Sequence, residues 1–297
     1  MAQLKFNVAI PDVDYYQRLI PCQDACPVKT AAGRYVQAVA RGEYEEAYRL
    51  AREPNPFAYV CGRVCAHPCE TACRRGKLDK PIAICGLKRS ATDHHNLGLG
   101  HAPDLPRLPK NGRKVAVIGS GPAGLSAAHD LARLGYAVTV FEAQSVVGGM
   151  MVLGIPVYRL PRDIIKMEVD AIVSLGVEIQ TGVRLGREMT LRDLRGQGYE
   201  ATFLAIGAHK SREFQIPGVE LDGVLKGVEF LLNVNLGYRL ELGEKVIVIG
   251  EVTLLWTSPG WQNGRARSWR LGRKVPLKVA LPPWMPHGLR YGWGRRR

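Results

Sequence analysis

Residues Lys114–Gly124 read KVAVIGSGPAG: a continuous apolar run breaks into three closely spaced glycines and resumes as helix-forming sequence. No other pattern in the chain restricts its fold as much. An apolar run without alternation describes a strand buried on both faces, and so a parallel sheet covered by helices. Gly119, Gly121 and Gly124 fit G-x-G-x-x-G in the strand–turn–helix setting that gives the pattern meaning. The first glycine permits the tight turn, the second lets the backbone approach a pyrophosphate, and the third lets helix and strand pack closely. N–H groups at the helix start then face the phosphate charge. Glu142, 23 residues after Gly119 at the end of the next apolar run, is placed to take ribose hydroxyls. The plainer alternatives are a glycine turn that binds nothing and a solvated acid at a strand end.

The rest of the pattern extends this picture. Strands are expected at Val115–Ile118, Ala137–Phe141, Val177–Gln180 and Ala201–Ile206, with helices at Ala123–Leu134, Pro161–Leu175 and Val228–Leu236. That alternation implies a doubly wound α/β domain. At Lys245–Gly250 the opening phrase starts again as KVIVIG, the first strand of a second nucleotide-binding domain, but EVTLLWTSPGWQNG follows without a glycine turn.

All seven cysteines lie between Cys22 and Cys85. In a cytosolic chain such clustering points to metal or redox chemistry rather than a disulfide framework. Around them the spacing is helical from Thr30 to Glu53, with Gly42 separating two short helices. Cys61, Cys65, Cys69 and Cys73 stand four apart. On one unbroken helix they would span about 18 Å at about 1.5 Å per residue, too far for one cuboidal cluster. Pro68 is placed to start a new helix and reverse the chain. Thiolates suit iron–sulfur clusters or zinc, and inert buried thiols are the remaining alternative. The Gly-, Pro- and His-rich run after Ala91 reads as a linker, with His94 and His95 solvated in it.

The formal charge of +14 invites a nucleic-acid reading, but its distribution argues otherwise. Residues 251–297 hold ten of the 41 Lys and Arg and one of the 27 acids, a net of +9 that leaves +5 for the first 250 residues. All five tryptophans lie in the same tail. No segment carries the roughly 20 apolar residues of a membrane span, and no signal peptide is evident, so a cytoplasmic protein is expected.

KVAVIGSGPAGLSAAHDLARLGYAVTVFEA, Gly148-Gly149, GIPVYRLP from Gly154 to Pro161, Ala205–Ala208 and Ile216–Gly218 together resemble the glutamate synthase small-subunit family. They are similar also to the corresponding half of dihydropyrimidine dehydrogenase. The resemblance covers residues 20–250. It implies FAD at the first nucleotide site, held by Gly119, Gly121, Gly124, Glu142 and Gly149, and NADPH at the second. It also implies an N-terminal helical module with [4Fe–4S] clusters, for which Cys22, Cys26-Pro27 and CGRVCAHPCETAC carry part of the motif. The C-x2-C found upstream in relatives is absent.

By that correspondence one cluster takes Cys26, Cys65 and Cys69. Relatives supply a fourth ligand from Gln or Glu, where this chain has Lys88, and Cys85 one turn earlier is the substitute. A second cluster would keep only Cys22 and Cys73, and would need ligands from outside. The implied organisation is a helical iron–sulfur module over 1–95, a linker over 96–112 and an incomplete FAD-binding domain over 113–244. The opening strand of the NAD(P) domain follows over 245–250, and the basic tail over 251–297.

The family continues after KVIVIG with Gly-Gly-Asn-Val-Ala-Met-Asp-Val-Ala-Arg. Reading each codon one base earlier, Trp256-Thr257 necessarily yields aspartate and Trp261-Gln262 alanine. Both fall in the family's register, so the tail is expected to be out of frame from codon 251. The implied function is electron input: NADPH to FAD to cluster to a larger partner subunit. The alternatives are an inactive product that keeps a cluster and FAD, and a nucleic-acid binder driven by the tail.

Overall fold

The computed structural model describes residues 12–98, 105–211, 217–238 and 242, and two strand pairs of residues at 247–248 and 278–279. One compact unit runs to Val152 and resumes from Leu160 to Ala208; a second takes Leu153–Arg159 and the chain from His209 onward.

The first unit opens with helices. Short helices α1 (Val13–Arg18) and α2 (Pro21–Asp24) lead to α3 (Ala32–Ala40) and α4 (Tyr44–Arg52). Gly42, at φ +77°, makes the left-handed step that ends α3. Acids Glu45 and Glu46 start α4, while Arg49 and Arg52 end it, matching the helix dipole. Helix α5 (Ala58–Val64) stops at Cys65, whose backbone is extended. His67 turns left-handed, and Pro68 then opens α6 (Pro68–Thr71), so the four-apart cysteines fall on separate segments as expected. Helix α7 (Ile84–Gly98) closes the module. The core is built mainly of small side chains, with Ala32, Ala38, Ala47, Ala51, Ala58 and Ala91 packed around Tyr35, Leu50 and Ile84. At Gly62 an added Cβ would lie 3.1 Å from Arg89 Cα, so the glycine sets how closely α5 approaches α7.

Two local readings need correction. Helix α7 runs to Gly98, beyond the expected linker start at 96, and of the two histidines expected to be solvated His94 is exposed while His95 is not. His94 stacks on Tyr44 with ring centres 4.0 Å apart, and His95 stacks on Tyr48 at 3.8 Å. His95 is buried, and its Nδ1 lies 2.5 Å from Glu45 Oε2. Aromatic stacking thus carries α7 past the point where apolar periodicity ends.

The α/β part has the elements β1 (Lys114–Ile118), α8 (Pro122–Arg133), β2 (Ala137–Glu142), α9 (Met150–Leu153), α10 (Arg162–Val173), β3 (Glu178–Thr181), α11 (Leu191–Gly196) and β4 (Tyr199–Leu204). The four strands form one parallel sheet in the order β3-β2-β1-β4. Central β1 is buried from Val115 to Ile118, as its unbroken apolar run demands. Ala116, Ile118, Phe141, Met189 and Leu194 form one packed face.

Helix α11 starts with a reciprocal cap. Thr190 Oγ1 accepts from Asp193 N, and the Asp193 carboxylate accepts from Thr190 N. Replacing Thr190 with Ala is expected to cost about 1 kcal/mol in thermal unfolding. Within the second unit, α12 (Gly227–Asn235) places Asn235 Nδ2 2.8 Å from Leu153 O as donor. Of the expected strand at 245–249, the described part is Ile247–Val248, parallel to Lys278–Val279. The truncated turn and most of the tail lie outside the described residues.

Candidate functional site

Between β1 and α8 the glycine turn has the geometry that a dinucleotide phosphate needs. Gly119 has φ +106°, and a Cβ there would stand 2.3 Å from Ala205 O, against the start of the loop after β4. A Cβ on Gly124 would fall 1.9 Å from Gly119 O, so its absence lets α8 lie on the turn. Gly149, at φ +52°, would place a Cβ 2.7 Å from Gly121 Cα. Gly121 differs from these three: a Cβ on it meets nothing within 4 Å. Three glycines are therefore required by the protein's own backbone, and the fourth borders open space at the N-terminus of α8. The turn fits a pyrophosphate there.

Ser120 and Glu142 hold the turn together. Glu142 Oε2 accepts from Ser120 N at 2.8 Å and Ser120 Oγ at 2.6 Å, and Oε1 accepts from Gln144 N at 2.8 Å. Gly148 N donates to Ser120 Oγ at 3.2 Å and to Ser120 O at 3.1 Å. Ser120, fully buried, thus ties β1, β2 and the Gly148-Gly149 segment to one another. The sequence signal for it was faint, a variable position inside the glycine motif. Glu142 stands where the sequence placed it, yet three of its roughly four acceptor positions serve its own loop, leaving about one for a ribose hydroxyl.

In the helical part all seven cysteines are free thiols, half-buried. Four of them share one neighbourhood. Burial, then the charge of Cys65, pushes Cys85 up to about 11, with Cys69 adding to the effect. Burial and Cys65 do the same to Cys69, also to about 11, with Cys26 contributing. Burial acts upward on Cys26 as well, but the Thr30 N–H, the Thr30 hydroxyl and the Val28 N–H outweigh it and leave that thiol below its ordinary value. Cys26 Sγ is 3.7 Å from Thr30 Oγ1, and His67 N donates to Cys65 Sγ at 3.2 Å. Glu70 Oε1 accepts from Cys85 N at 2.7 Å, fastening α6 to the start of α7.

The other three thiols differ in their immediate surroundings, although Cys85 Sγ donates to Cys61 O at 3.5 Å. Cys73 is surrounded by its own turn; N–H groups of Ile82, Arg75 and Gly76 hold it below its ordinary value. Cys22 packs against the helical core. Cys61 is pushed up by burial beside Asn55. Among the described residues no three Cys, His, Asp or Glu side chains stand as close together as ligands of a single metal ion. A tetrahedral zinc, with Zn–S of about 2.3 Å, would need that closeness. Thiolate is also the usual donor to iron–sulfur clusters.

The two halves match two known families in tandem. Residues 18–97 match the dihydropyrimidine dehydrogenase domain II, 4Fe-4S cluster family, and residues 113–252 match the pyridine nucleotide-disulphide oxidoreductase family. The chain belongs to the flavin and iron–sulfur oxidoreductases that join these two domains. Members of this family pair a [4Fe–4S] cluster with FAD and NADP(H). Among curated relatives, the β subunit of a Geobacter sulfurreducens NADPH-Fe(3+) oxidoreductase is 40% identical over 238 residues, which is 77% of this chain and 35% of that protein. The β subunit of a Moorella thermoacetica NADP(+)-dependent formate dehydrogenase is 41% identical over 251 residues, with the same coverage of each chain. The glutamate synthase (NADPH) small chain of Mycobacterium tuberculosis is 35% identical over 226 residues, 76% of this chain and 45% of that one. The chain spans between a third and a half of these relatives' lengths. Among the described residues no helix is long and apolar enough to cross a membrane.

Proposed function

We propose that this oxidoreductase is an electron-input component, taking electrons from NADPH and delivering them to a partner subunit that holds the catalytic site. What carries this reading is the presence, in one compact unit, of a glycine turn open to a phosphate and a cysteine-bearing helical module that matches a 4Fe-4S cluster family. FAD converts two-electron hydride chemistry into single-electron steps, and a cluster passes those electrons on. The chain's residues divide the work of positioning. Gly119, Gly124 and Gly149 shape the turn, Gly121 leaves room for the pyrophosphate, and Ser120 keeps Glu142 facing the site. Cys26, Cys65, Cys69 and Cys85 would hold one cluster, with Cys85 in place of the Gln or Glu that the family resemblance puts one turn later. Cys22 and Cys73 would reach a second cluster only with ligands from another chain.

The test is anaerobic purification, reconstitution with iron and sulfide, and absorption spectra before and after NADPH. Cluster absorbance is expected to disappear in Cys69→Ala and Cys85→Ala and to persist in Cys61→Ala. Equal retention in all three would remove the assignment. A second reading rests on the abrupt composition change at residue 251: a product that holds a cluster and FAD but does not respond to NADPH. Cluster absorbance unchanged by NADPH, together with a coding sequence that hides the family's continuation one frame away, would select it. A colourless protein whose DNA binding falls steeply with salt would instead select the basic tail as the functional part.

A further inference from the structure

Lys88 lies one turn after Cys85 on the same face of α7. It is 7% exposed, although lysines are rarely buried unless paired. Among the described residues no carboxylate stands within ion-pair distance of it. Glu70, the acid that reaches this end of α7, takes Cys85 N on Oε1 and faces His67 Nδ1 at 3.5 Å with Oε2. The Lys88 ammonium sits over the ring of Tyr35, 5.9 Å from its centre, and Tyr35 donates its hydroxyl to Ile84 O at 3.3 Å. Lys88 is thus a buried cation over an aromatic face, one helical turn from Cys85, with no carboxylate paired to it among the described residues.

We propose that Lys88 is the fixed counter-charge of the cluster held by Cys26, Cys65, Cys69 and Cys85, and that it raises the potential at which that cluster accepts an electron. A protonated lysine has three donors and no free pair, so it cannot take the ligand role of a Gln or Glu. Its contribution is electrostatic. Each added electron increases the negative charge beside the ammonium by one, so the cation favours the electron-rich state over the electron-poor one. Net charge and surroundings outside the ligand set are established controls of cluster potential. Lys88 would therefore be a positioning residue for charge, and its effect lies on the driving force for accepting an electron from the flavin.

The inference rests on the cluster assignment under the proposed function, and one experiment separates the two. The full chain and its Lys88→Met and Lys88→Arg variants are reconstituted anaerobically with iron and sulfide, assayed for both elements, and titrated potentiometrically with EPR detection. Lys88→Met is expected to lower the equilibrium constant for one-electron uptake about tenfold, a shift of about 59 mV to lower potential, while Lys88→Arg stays close to the parent. Full cluster content in Lys88→Met at an unchanged potential would overturn the inference and leave the cluster assignment standing. If Lys88→Met loses the cluster and Lys88→Arg keeps it, the positive charge is the requirement and the inference holds. Loss from both variants would show a packing role and overturn it. Absence of a cluster in the parent chain would remove the assignment, and the inference with it.

Discussion

Gly121→Ala is expected to abolish flavin binding with little change in stability, whereas Gly124→Ala, three residues on, is expected to unfold the α/β domain. The two substitutions add the same methyl group to the same turn. At Gly121 the backbone is ordinary, φ −70° and ψ 177°, and the new Cβ enters open space. The folding cost is limited to a poorer N-cap, about 1 kcal/mol or less. In the proposed site that open space receives the pyrophosphate at the helix N-terminus, so the methyl group would displace the ligand. A loss of at least a hundredfold in flavin affinity corresponds to about 2.8 kcal/mol, at about 1.4 kcal/mol per tenfold.

At Gly124 the new Cβ meets Gly119 O at 1.9 Å and Val117 Cγ1 at 3.2 Å, and the first of these is backbone that no rotamer change relieves. Overpacking of this kind costs about 1–3 kcal/mol even where side chains can yield. Here β1 and α8 must part, so a cost beyond that range is expected. Circular dichroism on heating reads the fold, and flavin absorbance after gel filtration reads the site. A Gly121→Ala protein that retains its flavin would place the phosphate elsewhere.

Much of this architecture was legible because its causes are local. The strand at Val115–Ile118 follows from an apolar run, the turn from glycines, and the break between Cys65 and Cys69 from Pro68. Around the candidate site, the turn and the breaks between cysteine-bearing segments were legible because glycine and proline constrain the backbone locally. What escaped depends on pairing across the chain. Nothing near His95 in sequence announces that Tyr48 and Glu45 will bury it. Ser120 occupies a variable motif position, and only the folded turn brings Glu142 and Gly148 onto it. Hydropathy assigns Lys88 and Arg52 to the surface, and both are buried because oppositely charged or aromatic groups arrive from distant segments. Short helices such as α9 and α11 are too brief to show a period, and neither was expected from the sequence.

Arg52 is where such pairing has its largest expected consequence for stability. Its guanidinium Nη1 meets Glu168 Oε2 with the two side chains 2% and 3% exposed, and Glu168 Oε1 also accepts from Tyr59 N at 2.8 Å. Complete burial pushes the Glu168 carboxyl up, and Arg52 is the largest influence opposing it. The pair joins α4 and the start of α5 in the cluster module to α10 in the nucleotide-binding part. Removing one partner strands the other away from water, so Arg52→Met and Glu168→Leu should each cost about 3–5 kcal/mol in urea unfolding. Removing both leaves no buried charge, and the double variant should recover most of that loss. Recovery cannot be complete, because Tyr59 N–H then lacks its acceptor, at about 1–3 kcal/mol. The same cycle addresses function. If this pair fixes the module against the flavin site, the double variant should hold both cofactors yet pass electrons from flavin to cluster more slowly in rapid-mixing experiments. A single-variant cost no greater than the roughly 0–1 kcal/mol of an exposed ion pair would mean that apolar packing alone joins the two parts.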